Sequence, residues 1–463
     1  MTTRRTFLTS AAAGALASGA AAKRPNLLFL LTDDHRWDAL GCMGNRIIQT
    51  PNLDRLARDG VIFENNFCAT AICMTSRASF FTGLHERSHG ISSFATPFTP
   101  DTMARTYPAM LRAAGYRTGF IGKYGVGARL PENAFDYFEA FPGQGQYYHK
   151  RDGKTIHLTT IQQEQALKFL EGCRKDQPFC LSVSFKAPHV QDGDPRQFLY
   201  DPADESMYAD VAIPVARTAA PQYYEALPPF LRDSEGRRRW ELQFATPEMH
   251  QRSVKGYYRL ITEVDRMIGN VVKALDAGGQ LQNTVIVFTG DNGYFLGEHG
   301  LSHKWYLYEE SVRTPLIVWD PRLPKKARGQ RRREMTLNID VAPTLLNYAG
   351  VQAPPSMQGR DLAPLARGER PAWRREWFYS HLFRNPGIPR SEGIRNERWT
   401  YIRWLDHGME QLFDIKEDPG NTTDLARNPR HKAQLDVMRA RWQAWDAAFG
   451  GWNPSRRWED PRV

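Results

Sequence analysis

The sequence predicts an α/β fold: a large mixed, mostly parallel sheet flanked by helices, followed by a smaller α+β unit built on an antiparallel sheet. Three observations predict it. Four short continuous apolar runs, at residues 26–31, 119–121, 179–185 and 285–288, show no alternation, which is how strands buried on both faces read. Each run stops abruptly in polar chemistry: Asp33-Asp34, Lys123, Lys186-Ala187-Pro188-His189 and Asp291-Asn292. After about residue 366 the texture changes to half-buried aromatic segments at 376–380, 399–404 and 411–415, closed by an amphipathic helical run over 432–449.

Taken in chain order, the first 22 residues read as a targeting segment. Thr3-Arg4-Arg5-Thr6-Phe7-Leu8 is similar to a twin-arginine export signal, and the Ala/Gly-rich run to Ala22 offers small residues for cleavage. That run is too short and too weakly apolar to span a bilayer, and no later stretch reaches spanning length. The expected location is periplasmic or extracellular, reached through the export machinery. Residues 23–365 form the expected main domain and residues 366–463 the small one. Helices are expected at 51–58, at 103–114 before Gly115, and at 160–173. The clearest lies at 254–277, where Val264, Ile268, Val271, Val272 and Leu275 keep helical spacing and Gly278-Gly279 ends it. Residues 192–247, rich in Pro, Tyr and charge, read as long loops forming a cleft wall.

The 463 residues are 41% hydrophobic and 24% charged, an ordinary globular composition with room for a sizeable core. A net charge of +10 suits polyanionic partners, but no recognition motif supports nucleic acid. The runs Arg237-Arg238-Arg239 and Arg331-Arg332-Arg333 read as solvated faces. The five cysteines, at 42, 68, 73, 173 and 180, form no CxxC pair, which argues against zinc and thioredoxin-like chemistry. Cys180 sits in an apolar run and reads as core.

Polar groups beyond the C-terminal ends of parallel strands converge on one site. Asp33, Asp34, Asp291 and Asn292 are all oxygen donors, the set a hard divalent cation such as calcium or magnesium prefers. Cys73 is placed just before a helix expected to begin around Ser76, where backbone N–H groups favour an anion.

The run Cys73-Met74-Thr75-Ser76-Arg77-Ala78-Ser79-Phe80-Phe81-Thr82-Gly83 resembles the maturation signature of the type I sulfatases, in the alkaline phosphatase superfamily. The resemblance extends to Gly122-Lys123, to Ala187-Pro188-His189, to residues 302–318 around Lys304, and to 338–346 and 411–420. It implies that a formylglycine-generating or other sulfatase-maturing enzyme oxidises Cys73 to formylglycine, whose hydrate attacks sulfur. It further implies that Asp33, Asp34, Cys73, Asp291 and Asn292 hold calcium, and that Arg77 steadies the formylglycine. By the same resemblance Lys123 and Lys304 hold the sulfate oxygens, and His189 acts as general acid near the leaving oxygen. The implied function is an exported sulfatase acting on a sulfated carbohydrate. His157, Arg384 and Arg390, in expected rim loops, are candidates for sugar contacts, with His299 and His303 in supporting or substrate-binding roles. The chain departs from the family at two points. Thr75 stands where proline or alanine is usual, and Gly125 where a histidine serves as base for sulfate elimination; His303 is the candidate substitute. The alternatives are a phosphodiesterase or phosphonate hydrolase of the same superfamily, and a non-catalytic homologue that binds sulfated glycans.

Overall fold

The computed structural model describes residues 24–461, so the expected export signal lies outside the described residues. The main sheet has eight strands: β1 (Asn26–Thr32), β2 (Val61–Phe63), β3 (Arg117–Lys123), β4 (Tyr137–Phe141), β5 (Phe179–Ser184), β6 (Thr284–Gly290), β7 (Leu316–Trp319) and β8 (Gln330–Arg332). Their order is β8-β2-β7-β6-β1-β5-β3-β4, and β7 alone runs against its neighbours. The four apolar runs are therefore the adjacent strands β6, β1, β5 and β3, all parallel.

Continuous apolarity follows from cover on both faces. The described helices that matter here are α1 (Pro51–Asp59), α2 (Cys73–Thr82), α3 (Tyr107–Ala113), α4 (Leu158–Glu171), α5 (Pro247–Ala277) and α6 (Lys432–Gly450). Leu27, Phe29 and Leu31 of β1 pack with Phe80 and Phe81 of α2 and Tyr107 and Leu111 of α3. Leu28 and Leu30 pack with Leu53 of α1, Phe169 of α4 and Val264 and Ile268 of α5. Successive residues point to opposite layers, so every position of the strand must be apolar. No described helix is long and apolar enough to cross a membrane.

Three expectations about helices change, the first being that α5 begins at Pro247 rather than at 254. The helix expected over 103–114 splits into Pro100–Ala104 and α3, because Pro108 has no N–H for the Ala104 carbonyl and its ring clashes there in a continuous helix, while it is tolerated in the first turn of α3 after the extended Thr106. The stretch read as loops over 192–247 holds the helices Pro221–Glu225, Pro229–Arg232 and Glu235–Gln243. All five cysteines are free, and Cys180 is buried.

The C-terminal unit is an antiparallel meander of β9 (Glu376–His381), β10 (Ser391–Asn396), β11 (Trp399–Trp404) and β12 (Met409–Asp414). Leu435, Met438, Trp445 and Phe449 of α6 cover its Phe378, Ile394, Tyr401 and Leu412. Strand β10 has no counterpart in the sequence reading: Ser-Glu-Gly-Ile-Arg-Asn carries one large apolar residue and a central glycine. That glycine is required by crowding, since a Cβ on Gly393 would stand 2.2 Å from the Tyr401 carbonyl oxygen.

Several buried histidines resist protonation and so oppose the native state at acid pH. Burial pushes His35 and His299 down to about 4, and His85 and His381 down to about 3. Below the unfolded value of 6.5 the unfolded chain binds protons that the native one refuses, so stability is lost as pH falls from there toward 3. At pH 5 each such histidine costs about 2 kcal/mol. Buried carboxyls raised to about 7 or 8, on Glu86, Asp291 and Glu310, act in the opposite sense over the same window, so the histidines are tested by variants. His85→Gln and His381→Gln are expected to lose less stability than the parent between pH 8 and pH 5, and an unchanged pH profile would count against neutral burial of these rings.

Candidate active site

The tips of β1 and β6 are tied together. The Asp291 N–H donates to the Thr32 carbonyl at 2.9 Å, and the Asp34 N–H donates to Asp291 Oδ1 at 3.0 Å. Asp34 has φ of +63°, a left-handed conformation that aspartate tolerates, and Tyr257 of α5 holds its carbonyl at 2.7 Å. The Asp33 N–H donates to the Ala187 carbonyl beyond β5 at 3.1 Å. Three strand ends thus present their side chains to one point.

Helix α2 enters that point with Cys73 as its first residue, three positions earlier than the sequence reading placed the helix start. All ten of its residues are buried, so it is held from every side. Ser76 Oγ donates to the Asp291 carbonyl at 2.5 Å and accepts from Asn338 Nδ2 at 2.9 Å. Thr75 Oγ1 donates to the Ile91 carbonyl at 2.9 Å, which satisfies the buried hydroxyl at the position where the family usually has proline or alanine.

Arg77 projects one turn along and binds both acidic tips, Asp291 Oδ2 at 2.9 Å and Asp33 Oδ2 at 3.3 Å. It also donates to the Lys123 carbonyl at 2.8 Å and to Ser184 Oγ. Lys123 donates to Asp33 and, at 2.6 Å, to Gln144 Oε1; Gln144 Nε2 lies 3.9 Å from Cys73 Sγ. Lys304 and Asn292 Nδ2 both donate to Asp34 Oδ1, at 2.5 and 2.6 Å. Three cations thus face three carboxylates in a buried site, where an unpaired charge would cost several kcal/mol.

Burial pushes the Asp33 carboxyl up, but Lys123, Arg77 and Lys304 outweigh it and hold it well below the usual range. Burial pushes Asp34 up against the pull of Lys304, and burial with Asp33 nearby pushes Asp291 up to about 7. His189 is held neutral by burial and by Lys304, Lys123 and Lys186. Its Nδ1 lies 2.7 Å from the Val190 carbonyl and so carries the proton; its Nε2 faces Asp34 Oδ2 at 3.6 Å.

The donor set fits a hard cation. Asp33 Oδ1, Asp34 Oδ2 and Asn292 Oδ1 are buried oxygens with no hydrogen-bond partner, a costly state that a divalent ion removes. Ligand atoms of Asp33, Asp34 and His189 lie within 4.8 Å of one another.

Beside this cluster is a cavity of about 240 Å³ whose lining includes Cys73, His189, His303 and Lys304. Among the described residues the fold therefore brings together Asp33, Asp34, Cys73, Arg77, Lys123, His189, Asp291, Asn292, His303 and Lys304. Four expected substrate contacts lie elsewhere. His157 is buried, with Nδ1 3.0 Å from Glu263 and Nε2 2.8 Å from the Leu199 carbonyl. Its ring stacks on Tyr147, whose hydroxyl donates to the His189 carbonyl at 2.6 Å, so it braces the site from behind. His299 is packed against Tyr308. Arg390 is paired with Asp406 at 2.5 Å. Arg384 is exposed beside Phe383 and Asn385, which do line the cavity. Nor is His303 free to act as base: its Nε2 accepts from Arg239 at 2.9 Å.

Gly125 is explained by space. Its φ is +78°, and a Cβ there would stand 2.5 Å from Cδ of Arg77, so this backbone excludes a histidine. Sequence reasoning missed Gln144, Asp192, Glu235 and Arg239, all lining the cavity. Gln144 sits between two glycines with φ of +62° and +64°, a mark of a constrained loop. Arg239 was hidden in a basic run; its i,i+4 spacing from Glu235, which it binds at 2.8 Å, was the available signal.

Comparison with known proteins adds to this geometry. The family model described as Sulfatase matches residues 25–351, and one described as N-sulphoglucosamine sulphohydrolase, C-terminal, matches residues 297–447. The chain is 30% identical to an N-acetylglucosamine-6-O-sulfatase of Bacteroides thetaiotaomicron, over 90% of this chain and 85% of that protein. It is similar to a solved structure held in complex with its substrate D-glucosamine-2-N,6-O-disulfate, at TM-score 0.82 and 28% identity, covering 94% of this chain and 99% of the other. A phosphonate monoester hydrolase of Agrobacterium radiobacter shares the fold at TM-score 0.76 and 23% identity, covering 92% of this chain and 96% of that one.

Proposed function

Because the chain belongs to the sulfatase family and is a sulfuric ester hydrolase, we propose that it removes sulfate from a sulfated carbohydrate, using Cys73 as the precursor of a formylglycine nucleophile. The observation that carries this reading is the meeting of Cys73, Lys123, Lys304 and His189 beside three unpartnered buried oxygens. The substrate class draws support from two of these relatives, the N-acetylglucosamine-6-O-sulfatase and the structure holding D-glucosamine-2-N,6-O-disulfate.

Conversion of Cys73 to formylglycine supplies the nucleophile. Calcium, held by Asp33, Asp34, Asp291 and Asn292 with residue 73, supplies Lewis acidity when bound, and magnesium is the alternative ion. The chain's own residues do the rest. Lys123 and Lys304 are fixed by Asp33 and Asp34, so their charges stand ready for sulfate oxygens without reorganisation. Arg77 locks the tips of β1, β3 and β6 into one frame. His189, with its proton at Nδ1, keeps a bare Nε2 directed at the reacting region, where it takes up a proton as the nucleophile attacks and returns it to the leaving alcohol. Phe94 and Phe383, edge to face at 5.6 Å, stand with Trp305 at the cavity and offer apolar surface to a sugar ring.

Cys73 is 1% exposed, so a maturing enzyme must act before the chain closes around it. Export of the already folded protein through a twin-arginine route, to the periplasm or beyond, fits that order of events.

Kinetics on matched sulfate, phosphate and phosphonate esters, with protein matured on Cys73, test the reading. Sulfate esters of amino sugars are expected to exceed the phosphorus esters in kcat/KM by more than about 100-fold. A preference for phosphonates would assign the chain to the other chemistry of this fold. Tight sugar binding without turnover would assign it a binding role.

A further inference from the structure

A second cavity lies apart from the candidate active site: a groove of about 1010 Å³ lined by nine arginines and five glutamates. It forms where β2 and the edge strand β8 end against the C-terminal unit. Direction places it. Strands β2 and β8 run the same way as β1, so Asn65 and Arg333, just past their ends, lie at the end of the sheet that carries Asp33 and Asp34. In the sheet order β8 stands four places from β1, about 19 Å at the usual strand spacing. Arg36, two residues from Asp34, also lines the groove and binds Glu298 at 2.7 Å.

Its charges are not fully matched. Glu64 serves two arginines, Arg331 at 2.5 Å and Arg333 at 3.1 Å. Glu309 serves Arg395 at 3.0 Å and Arg313 at 3.7 Å. Arg370 is exposed and makes no ion pair with a described carboxylate. Burial and the neighbouring Glu298 push Glu310 up to about 8, so at neutral pH it cancels little of the positive charge. The side chains of Arg333 and Arg375 are 86% and 81% exposed, the latter paired with Glu397 at 2.7 Å. Ion pairs this exposed contribute little and exchange readily for a competing anion. A planar guanidinium matches the paired oxygens of a sulfate group as it does those of a carboxylate.

We infer that this groove is an accessory binding site for a sulfated polysaccharide, holding the polymer next to the catalytic cavity. The inference rests on the sulfated-carbohydrate reading above. A net charge of +10 adds a long-range attraction of the same sign.

The test compares matured full-length protein with the variant Arg333→Glu, Arg370→Glu, Arg375→Glu. A second triple, Lys150→Glu, Arg174→Glu, Arg430→Glu, makes the same charge change away from the groove. Affinity for a heparin-type sulfated polymer is read by titration at several salt concentrations, and kcat/KM is read on the polymer and on a small sulfate ester. The groove variant is expected to lose about tenfold or more in polymer affinity, with a shallower salt dependence. Its kcat/KM is expected to fall on the polymer and to hold on the small ester, while the control triple changes little. Equal losses in both triples would reduce the effect to net charge and overturn the proposal. So would unchanged polymer binding, a matching loss on the small ester, or a loss of affinity for a DNA duplex alone. Binding is measured independently of turnover, so a groove that binds polymer in a protein without hydrolysis would refute the catalytic reading and leave the groove standing.

Discussion

Replacing Cys73 by alanine is expected to abolish sulfate-ester hydrolysis, with a fall in kcat of at least about 10⁴-fold, while the protein still folds and still binds its substrate. The loss of function follows from position. Cys73 is the first residue of α2, at the helix end whose free N–H groups favour negative charge, and it lines the same cavity as His189 and Lys304. No other residue of that lining is a nucleophile of comparable chemistry: the remainder are cations, carboxylates, amides, histidines, aromatics and aliphatics. The fold should survive because the sulfur makes only one polar contact, at 3.9 Å to Gln144, and alanine suits a helix. The cost in stability is expected to be about 1 kcal/mol. Two measurements complete the test: the mass of the Cys73 peptide, which shows conversion to the aldehyde, and single-turnover kinetics of the alanine variant. Undiminished turnover would sink the formylglycine mechanism.

Removing divalent ions is expected to have the second-largest effect. Chelation should lower activity more than about 100-fold and lower the melting temperature, and calcium should restore both. Asp33 Oδ1, Asp34 Oδ2 and Asn292 Oδ1 have no hydrogen-bond partner, so the metal-free protein keeps three desolvated acceptors unsatisfied. The pH dependence has a definite sign. Burial, with Asp33 close by, raises Asp291 to about 7, above its unfolded value. The metal-free native state therefore binds protons that the unfolded chain releases, and loses stability as pH rises from about 4 to about 7. The calcium-induced rise in melting temperature should be larger at pH 8 than at pH 5. Equal activity and equal melting curves with and without chelator would rule out a cation at these carboxylates.

Much of this site was legible because its residues sit where strands end. A strand buried on both faces must be apolar throughout, so the first polar residue after it marks the sheet's rim, and in parallel strands those rims coincide. Asp33, Lys123, His189 and Asp291 were found this way, and the run beginning at Cys73 added the helix that meets them. The less legible contributors came from segments whose pattern reports only one side of the chain. Arg239 lies in a stretch that reads as a solvated loop but folds as a helix, and its functional face is set by Asp192 and His303, 47 and 64 residues away. His157 looked like a rim residue until α5 supplied Glu263 and β5's extension supplied His189 above Tyr147.

The sequence by itself determined the doubly covered parallel sheet, the family to which the chain belongs, and the acids, lysines and cysteine of the centre. These are local properties: apolar period, strand end and motif spacing. Only the tertiary structure decided that Gly125 has no room for a histidine because Arg77 occupies it, and that His303 gives its lone pair to Arg239. It also decided that two arginine runs read as solvated faces end in a cavity wall and a groove. The physical reason is that the charge, exposure and free volume around a side chain come from neighbours remote in sequence, and periodicity along the chain carries no record of them.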